Sequence, residues 1–346
     1  MSSTSEQTLL VTGANGFVAG HIIKVALEKG YHVKGAVRTD SSAAQLKATF
    51  PAYSSQLSTT IVPDITNVES FKEAFGPEVT GVIHTASPFV LNIKDARRDL
   101  LDPAINGAVT ILKATALYGA GSVRRVVTTA SFASNLDLLA GKRPNHTYTE
   151  QDWNPMTYDE AATADPTAAY CASKALAERS QWDWVAANKP QFDLVALCPA
   201  WVFGPHVVPP PRGLKGLNQS SAALWGMVDR DELPGMDFMG FVDVRDNALA
   251  HVGAFETPAA GGERFILAQH FDYQSVADAV RESIPELKDR IPAGTPGAGW
   301  QELESGSVYS IDTSKAQRVL GIKYTPLSVS MRDSFLELLE AERKTT

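Results

Sequence analysis

Cysteine is scarce in this sequence, with two residues, Cys171 and Cys198, in a chain of 346. Two cysteines allow one pairing at most, which excludes a disulfide-rich secreted scaffold. One of them follows a candidate catalytic tyrosine and the other lies in an apolar strand. We therefore expect free thiols and a reducing, cytoplasmic location.

Long apolar runs and an excess of positive charge are also missing. No stretch is long enough to span a bilayer, and Met1–Glu6 has neither the basic nor the apolar region of a signal peptide. The net charge of −8 and the pI near 5.4 argue against nucleic acid or an anionic membrane as a partner. There is no internal repeat, and no metal site is predicted.

Apolar residues, in contrast, make up 44% of the chain. At 37.2 kDa this is enough for a sizeable core in one large domain or two lobes. The organising stretch is Leu9–His21, where a short run of strand formers meets a glycine turn and helical apolar spacing follows. Gly13 allows a sharp turn, and Gly16 leaves the helix start open to a pyrophosphate. The pattern predicts a dinucleotide-binding loop, although such turns also join strands and helices for purely structural reasons.

The residue at the end of the next strand indicates which dinucleotide is bound. The strand His32–Val37 closes a βαβ unit, and Arg38 follows it. NAD enzymes place a carboxylate here for the ribose 2′-hydroxyl, whereas an arginine suits a 2′-phosphate. The nearest acid, Asp40, lies beyond Arg38. NADP is therefore favoured, with a solvated loop arginine as the alternative.

Further strand ends supply more candidate residues. Asp64 and Ile65 follow the third strand, where a carboxylate can accept from an adenine amino group or cap the helix around Val68–Phe75. The next strand runs into the small-residue loop Thr85-Ala86-Ser87, which permits close approach of a cofactor. His84, just before it, has apolar neighbours and is predicted to be a packed strand histidine rather than a catalyst.

Alternating strands and helices predict an α/β fold, a Rossmann-type doubly wound parallel sheet with a small, discontinuous C-terminal substrate lobe. Residues 1–203 form the predicted NADP-binding domain, with further core segments at about 241–267. Residues 204–346 are mostly the substrate lobe, interleaved with the core.

Three side chains carry the predicted chemistry. Tyr170 and Lys174 are four residues apart on a helix and share one face, and Ser131 lies at a strand end. A cation beside a phenol favours the phenolate and lowers the phenol pKa, which makes the phenol a usable proton donor to a carbonyl. A serine hydroxyl can bind the same carbonyl oxygen. A Tyr–Lys pair alone could equally be a surface helix pair.

These motifs together resemble the extended short-chain dehydrogenase/reductase family. The likeness is carried by Thr12–Ala19, Ser131, Tyr170–Lys174 and Pro199–Pro205. Within the family the chain is similar to the dihydroflavonol-reductase-like branch, and in particular to yeast-type methylglyoxal (3-methylbutanal) reductases and related fungal aldehyde and ketone reductases. The segments that are more specific to this branch lie outside the core shared by the whole family, and they are His84–Phe89, Leu217–Ser220, Phe241–Asp246 and Ile291–Gly297.

The resemblance implies a role for each site residue. Tyr170 is the proton donor, Lys174 holds the nicotinamide ribose and tunes the tyrosine, and Ser131 binds the carbonyl oxygen. Arg38 takes the 2′-phosphate. The full set of candidate cofactor-binding residues is Gly13, Asn15, Gly16, Phe17, Val18, Arg38, Asp64, Ile65, Thr85, Ala86, Ser87, Tyr170, Lys174, Pro199, Val202 and Ser220.

Three aromatic residues, Phe89, Phe132 and Trp201, are expected by position to line the substrate pocket, although each could equally be core packing. Relatives often carry Ser-Ser where this chain has Ala130-Ser131, and Ser131 is taken as the catalytic serine.

The resulting prediction is an NADPH-dependent carbonyl reductase for aldehydes and ketones, including diketones or aryl ketones, acting as a monomer or homodimer. Its rivals are a nucleotide-sugar epimerase or dehydratase of the same fold, a non-catalytic NADP-sensing regulator and a plant-type cinnamoyl-CoA reductase. A dehydratase commonly carries an Asp-Glu pair just after the strand-end hydroxyl. Here Phe132-Ala133 follow instead.

Overall fold

The structure is a computed structural model and describes residues 4–87, 94–207, 213–235 and 238–344. Its strands are β1 Thr8–Thr12, β2 His32–Val37, β3 Leu57–Ile61, β4 Val79–His84, β5 Arg125–Thr129, β6 Thr147–Tyr148, β7 Asp193–Pro199, β8 Trp201–Phe203, β9 Gly240–Asp243, β10 Arg264–Leu267, β11 Gln269–His270 and β12 Ser310–Ile311. Its α-helices are α1 Phe17–Glu28, α2 Asp40–Thr49, α3 Asp102–Tyr118, α4 Tyr158–Ala161, α5 Pro166–Asn188, α6 Gln219–Trp225, α7 Val244–Glu256, α8 Tyr273–Ser283, α9 Ala298–Glu304, α10 Ser314–Leu320 and α11 Leu327–Arg343.

Seven parallel strands form the central sheet, in the order β10-β7-β5-β4-β1-β2-β3. The strand order reverses between β1 and β4, which is where open α/β sheets bind their ligands. The predicted fold class, a doubly wound parallel sheet, is confirmed.

Side-chain alternation along β1 shows why helices cover both faces of this sheet. Leu9 and Val11 pack into a cluster with residues of α1, α2 and α7. Leu10, between them, packs into a second cluster with residues of α3 and α5. Successive strand residues point to opposite faces, so a strand that is apolar throughout needs a cover on each side.

The small lobe has its own core. A three-stranded sheet in the order β11-β9-β8 packs with α6, α8 and α11 around aromatic residues that include Phe203, Phe241 and Phe335. A two-stranded pair, β6 with β12, connects residues near 147 to residues near 310. The lobe is therefore assembled from segments spread along the chain.

Residues 241–267, which were expected to add core segments to the NADP-binding domain, divide between the two sheets. β10 is the edge strand of the central sheet, whereas β9 pairs with β8 in the small sheet, with Trp201 beside Phe241. Pro199, at the junction of the two sheets, is the last residue of β7. Apolar alternation identifies a strand but not the sheet that it joins, so the sequence pattern could not separate these alternatives.

Cys171 and Cys198 are both buried and free, as predicted. In the part of the chain that the structure describes, none of the helices has both the length and the apolar character needed to cross a membrane.

Candidate active site

The glycine loop lies between β1 and α1, at the point where the strand order reverses. Gly13 has φ +63°, and a Cβ on it would lie 3.1 Å from the Cα of Ala86, so the backbone after β4 passes directly over the loop. Gly16 is the N-cap of α1, and no side chain caps the helix. The first N–H groups of α1 are therefore available to an anion.

The other loop candidates have different surroundings. Asn15 is exposed, and its Nδ2 donates to Ser42 Oγ at 3.4 Å. The ring of Phe17 lies 4.7 Å from that of His206, on the segment leading into the small lobe. Val18 is partly buried and packs against the core cluster under the sheet. These residues surround the start of α1, and their contacts to a cofactor stay a prediction.

Arg38 is exposed immediately after β2, and it makes no ion pair with any residue that the structure describes. The following Thr39 caps α2, since its Oγ1 accepts from the backbone N–H of Ser42. Asp40 is then in the first turn of α2, where the helix dipole favours an acid. The guanidinium of Arg38 is therefore accessible from solvent, and its contact with a 2′-phosphate stays a prediction.

Asp64 does not cap the next helix. Its carboxylate accepts from the backbone N–H of Thr66 at 2.8 Å and from Thr66 Oγ1 at 2.7 Å, and these bonds lower its pKa. Asn67 caps instead, and the helix that follows is a 3-10 helix, Val68–Ala74. The capping alternative for Asp64 is wrong, because the chain needs three more residues to reach the helix start. Ile65 packs against the core beside α3.

The end of β4 is tied to β1. His84 is buried, its Nδ1 lies 2.8 Å from Thr12 Oγ1, and burial, with Lys174 contributing, lowers its pKa to about 4. Thr85 Oγ1 donates to the carbonyl of Thr12, and the N–H of Ala86 donates to Thr12 Oγ1. His84 is therefore a packed strand histidine, as predicted.

Helix α5 carries the tyrosine and the lysine. Asp165 caps it by accepting from the N–H groups of Thr167 and Ala168, and Pro166 occupies the first turn, where a missing N–H costs nothing. The i, i+4 spacing then places Lys174 Nζ 5.3 Å from the centre of the Tyr170 ring. The ammonium also donates to Ser87 Oγ at 2.9 Å, which joins α5 to the loop after β4.

The pKa of Tyr170 shifts in the direction opposite to the one predicted. Burial, with a smaller contribution from Cys171, raises it to about 12, and burial lowers the pKa of Lys174 to about 8. Removing the phenolate from water outweighs any attraction to a cation that lies over the ring and is itself partly desolvated. At neutral pH the phenol therefore holds its proton, and the lysine is mostly charged.

Ser131 follows β5 and begins a short 3-10 helix, Phe132–Ser134. Its Oγ accepts from the N–H of Ala133 at 3.2 Å. A hydroxyl that accepts in this way keeps its own proton available for a ligand.

One cavity of about 430 Å³ brings the three groups together. The described residues that line it are Thr85, Ser87, Thr129, Ala130, Ser131, Phe132, Ala133, Pro166, Thr167, Tyr170, Lys174, Pro199, Ala200, Trp201, Val202, Gln219, Ser220 and Phe238. Among these residues there is no carboxylate, and Lys174 is the one cation. The predicted cofactor residues Pro199, Val202 and Ser220 lie on its wall.

Sequence reasoning missed several lining residues. Thr129 is the last residue of β5, two residues before Ser131. This strand-end position could have indicated that it lines the cavity. Gln219 and Phe238 lie on the small lobe. Gln219 precedes the predicted residue Ser220 in Leu217–Ser220, which could have indicated it, whereas nothing in the sequence around Phe238 shows that it reaches the cavity.

The three aromatic residues predicted to line the substrate pocket have different surroundings. Trp201 is partly exposed at the cavity, stacks on Phe203 with ring centres 5.8 Å apart, and meets Phe238 edge-on at 6.0 Å. Phe132 is fully buried, with its ring edge-on to Tyr148 at 5.4 Å, so core packing describes its environment and ligand contact stays a prediction. Phe89 lies outside the described residues.

The chain matches a known family. The profile of the NAD dependent epimerase/dehydratase family matches residues 9–268, and the chain belongs to that family. The resemblance to extended short-chain dehydrogenases/reductases is thereby confirmed.

Particular relatives match over nearly the whole chain. The NADPH-dependent methylglyoxal reductase Gre2 of Saccharomyces cerevisiae is 37% identical, over 97% of this chain and 99% of its own. The ketoreductase azaE of Aspergillus niger is 36% identical, over 98% of this chain and 99% of its own. The crystal structure of yeast methylglyoxal/isovaleraldehyde reductase Gre2 with NADPH has a TM-score of 0.91 at 35% identity, and covers 98% of this chain and 100% of that one.

Proposed function

We propose that Ser131, Tyr170 and Lys174 perform NADPH-dependent reduction of a carbonyl group. The observation that carries the proposal is that all three line one cavity next to the glycine loop and the strand-order reversal. The chain is an NADP-dependent oxidoreductase that acts on CH-OH groups and their carbonyl counterparts, in agreement with relatives named as NADPH-dependent reductases and ketoreductases. The predictions of enzyme class and cofactor are confirmed at this level.

The residues present fit NADPH. The open N-terminus of α1 suits the pyrophosphate, and Gly13 leaves room that a Cβ would fill against Ala86. Arg38 would hold the 2′-phosphate, and Lys174 would hold the nicotinamide ribose. When bound, NADPH supplies the hydride.

The protein's own groups then act on the carbonyl oxygen. Ser131 and Tyr170 donate hydrogen bonds to it and hold the carbonyl carbon in line for reduction. Tyr170 gives its proton to the oxygen as the carbon gains the hydride, and the alcohol results. The high pKa of Tyr170 keeps the phenol protonated before this step, and the Lys174 ammonium stabilises the phenolate after it.

The cavity wall indicates the substrate class. Trp201 and Phe238 form apolar walls, and no described lining residue bears a negative charge. Burying an ionised substrate there would cost desolvation that nothing offsets except Lys174, which the cofactor ribose engages. Uncharged aldehydes and ketones are therefore the substrates, with methylglyoxal and 3-methylbutanal as first candidates because the yeast relative is named for them.

An epimerase or dehydratase activity is less well supported, although the family includes both. Elimination needs an acid and base pair, but the residues after Ser131 are the fully buried Phe132 and Ala133. A non-catalytic sensor would have no need for Tyr170 and Lys174 at the cavity.

A substrate panel tests the proposal. NADPH oxidation is followed with aldehydes, diketones and aryl ketones, and with glycolaldehyde phosphate and pyruvate as charged comparisons. We expect turnover of the uncharged compounds and at least tenfold lower kcat/KM for the charged ones. Turnover confined to charged substrates would contradict the assignment of the cavity.

The location and assembly state are further parts of this proposal. Two free, buried thiols support a reducing cytoplasm. We propose a monomer or homodimer, without a nucleic acid or membrane partner, and light scattering of the purified chain measures the assembly state.

A further inference from the structure

A histidine buried on α7 determines how a threonine at the cavity wall presents its hydroxyl group. Thr129 is the last residue of β5 and lines the cavity. Its Oγ1 lies 2.7 Å from Nε2 of His251. Nδ1 of the same ring lies 2.8 Å from the backbone carbonyl oxygen of Asn247, one helical turn earlier. The ring therefore bridges the helix backbone and the cavity wall.

Hydrogen-bond chemistry leaves one assignment for the protons of this ring. A backbone carbonyl oxygen only accepts, so Nδ1 of His251 carries a proton. His251 is fully buried, and burial lowers its pKa to about 4, so the ring is neutral at physiological pH. Nε2 is then unprotonated and accepts the hydroxyl proton of Thr129.

Thr129 consequently offers only oxygen lone pairs to the cavity, because its proton points at His251. It lines this cavity together with Lys174, the residue that in the proposed function would hold the nicotinamide ribose. The nicotinamide ring carries a carboxamide, whose nitrogen donates and whose oxygen accepts. A fixed acceptor in the wall distinguishes these two ends.

We propose that Thr129 accepts a hydrogen bond from the carboxamide nitrogen of the nicotinamide, and that His251 is the positioning residue that keeps the Thr129 hydroxyl turned as an acceptor. This inference rests on the proposed function, since it requires the cofactor in this cavity. A hydroxyl free to rotate would serve either end of the carboxamide. The acceptor fixed by His251 serves only the nitrogen, and so favours one orientation of the amide.

The test compares NADP⁺ with its 3-acetylpyridine analogue, in which a methyl ketone replaces the carboxamide and the N–H donor is absent. Dissociation constants from calorimetry report binding without turnover. The unmodified protein should bind NADP⁺ about two- to tenfold more tightly than the analogue, the usual contribution of one neutral hydrogen bond. The quantity compared between variants is the ratio of the dissociation constant of the analogue to that of NADP⁺. Thr129→Val keeps the shape of the side chain but removes the acceptor, so this ratio should approach one. Thr129→Ser should keep the original ratio.

Two further variants isolate the contribution of His251. His251→Leu leaves the Thr129 hydroxyl without its acceptor and should lower the ratio. His251→Gln should restore it, because an amide oxygen can accept from Thr129 while the amide nitrogen donates to Asn247. Thr115→Val is the matched control, since Thr115 is fully buried on α3 and donates to the carbonyl of Ile111 at 2.8 Å. Its ratio should equal that of the unmodified protein.

An unchanged ratio in Thr129→Val would overturn the proposal. An unchanged ratio in folded His251→Leu, with Thr129→Val near one, would overturn the part assigned to His251. If thermal unfolding shows that His251→Leu does not fold, His251→Phe takes its place, because it keeps a ring at this position and removes both ring nitrogens. The proposed function fails on a separate result, the retention of turnover by Tyr170→Phe, because the binding ratio does not depend on proton transfer.

Discussion

The nucleotide-binding half and the small lobe build the active site in different ways. In the first, the glycine loop, the Thr85–Ser87 loop and Ser131 follow parallel strands of one sheet, so its carboxyl edge collects them. In the second, Trp201, Gln219 and Phe238 come from a strand, a helix and a loop. In the proposed function, the first half supplies the groups that act on the carbonyl, placed by strand order, and the second supplies the walls that contact the substrate, placed by tertiary packing.

The largest expected effect comes from replacing the proposed proton donor, which belongs to the nucleotide-binding half. Tyr170→Phe should lower kcat by about 10²- to 10⁴-fold, because the general acid is lost. NADPH binding should stay nearly unchanged, since the ring remains. Stopped-flow turnover and fluorescence titration of NADPH measure the two quantities.

Tyr118→Phe is the matched control for this change. Tyr118 ends α3, away from the cavity, and its variant should keep full turnover. If Tyr170→Phe kept more than about a tenth of the original kcat, the proton donor would be another residue.

The next effect is on the stability of the fold, and it distinguishes an aromatic residue of the core from one at the cavity. Phe132→Ala should destabilise the fold by about 3–5 kcal/mol, because a fully buried ring is removed from a packed cluster. Trp201→Ala should cost clearly less, since Trp201 is partly exposed. Urea denaturation of both variants gives the comparison. Equal losses would mean that the two rings are both structural.

A smaller effect concerns cofactor choice. Arg38→Ala should lower the ratio of kcat/KM for NADPH over that for NADH by about tenfold or more, the loss expected for a charge-assisted contact of about 1.5–3 kcal/mol. Arg332→Ala, an exposed arginine on α11, is the control and should leave the ratio unchanged. An unchanged ratio in Arg38→Ala would remove Arg38 from the cofactor site.

The smallest expected effect is on selectivity, and it comes from the small lobe. Trp201→Ala should shift the enantiomer ratio of the alcohol from a prochiral aryl ketone by about 1–3 kcal/mol, with little change in the KM for NADPH. Chiral chromatography of the product measures it. A variant that loses thermal stability but keeps its product ratio would identify Trp201 as a core residue.

The same contrast explains what could be predicted from the sequence. Local periodicity and spacing were enough to predict the sheet, the glycine loop and the Tyr170–Lys174 pair. The apolar neighbours of His84 were enough to predict that it is packed in its strand. The pairing of β9 with β8, the burial of Phe132 and the reach of Phe238 into the cavity depend on long-range packing. The raised pKa of Tyr170 likewise depends on burial, which the i, i+4 spacing does not show.

The central claim is that the cavity carries out net reduction of an uncharged carbonyl. Its most direct test is the stoichiometry of the reaction with 3-methylbutanal, measured as NADPH consumed by absorbance and alcohol formed by gas chromatography. The account predicts one alcohol for each NADPH oxidised, and no such turnover in Tyr170→Phe. It would be contradicted by the absence of alcohol, or by conversion of a nucleotide sugar without net consumption of NADPH.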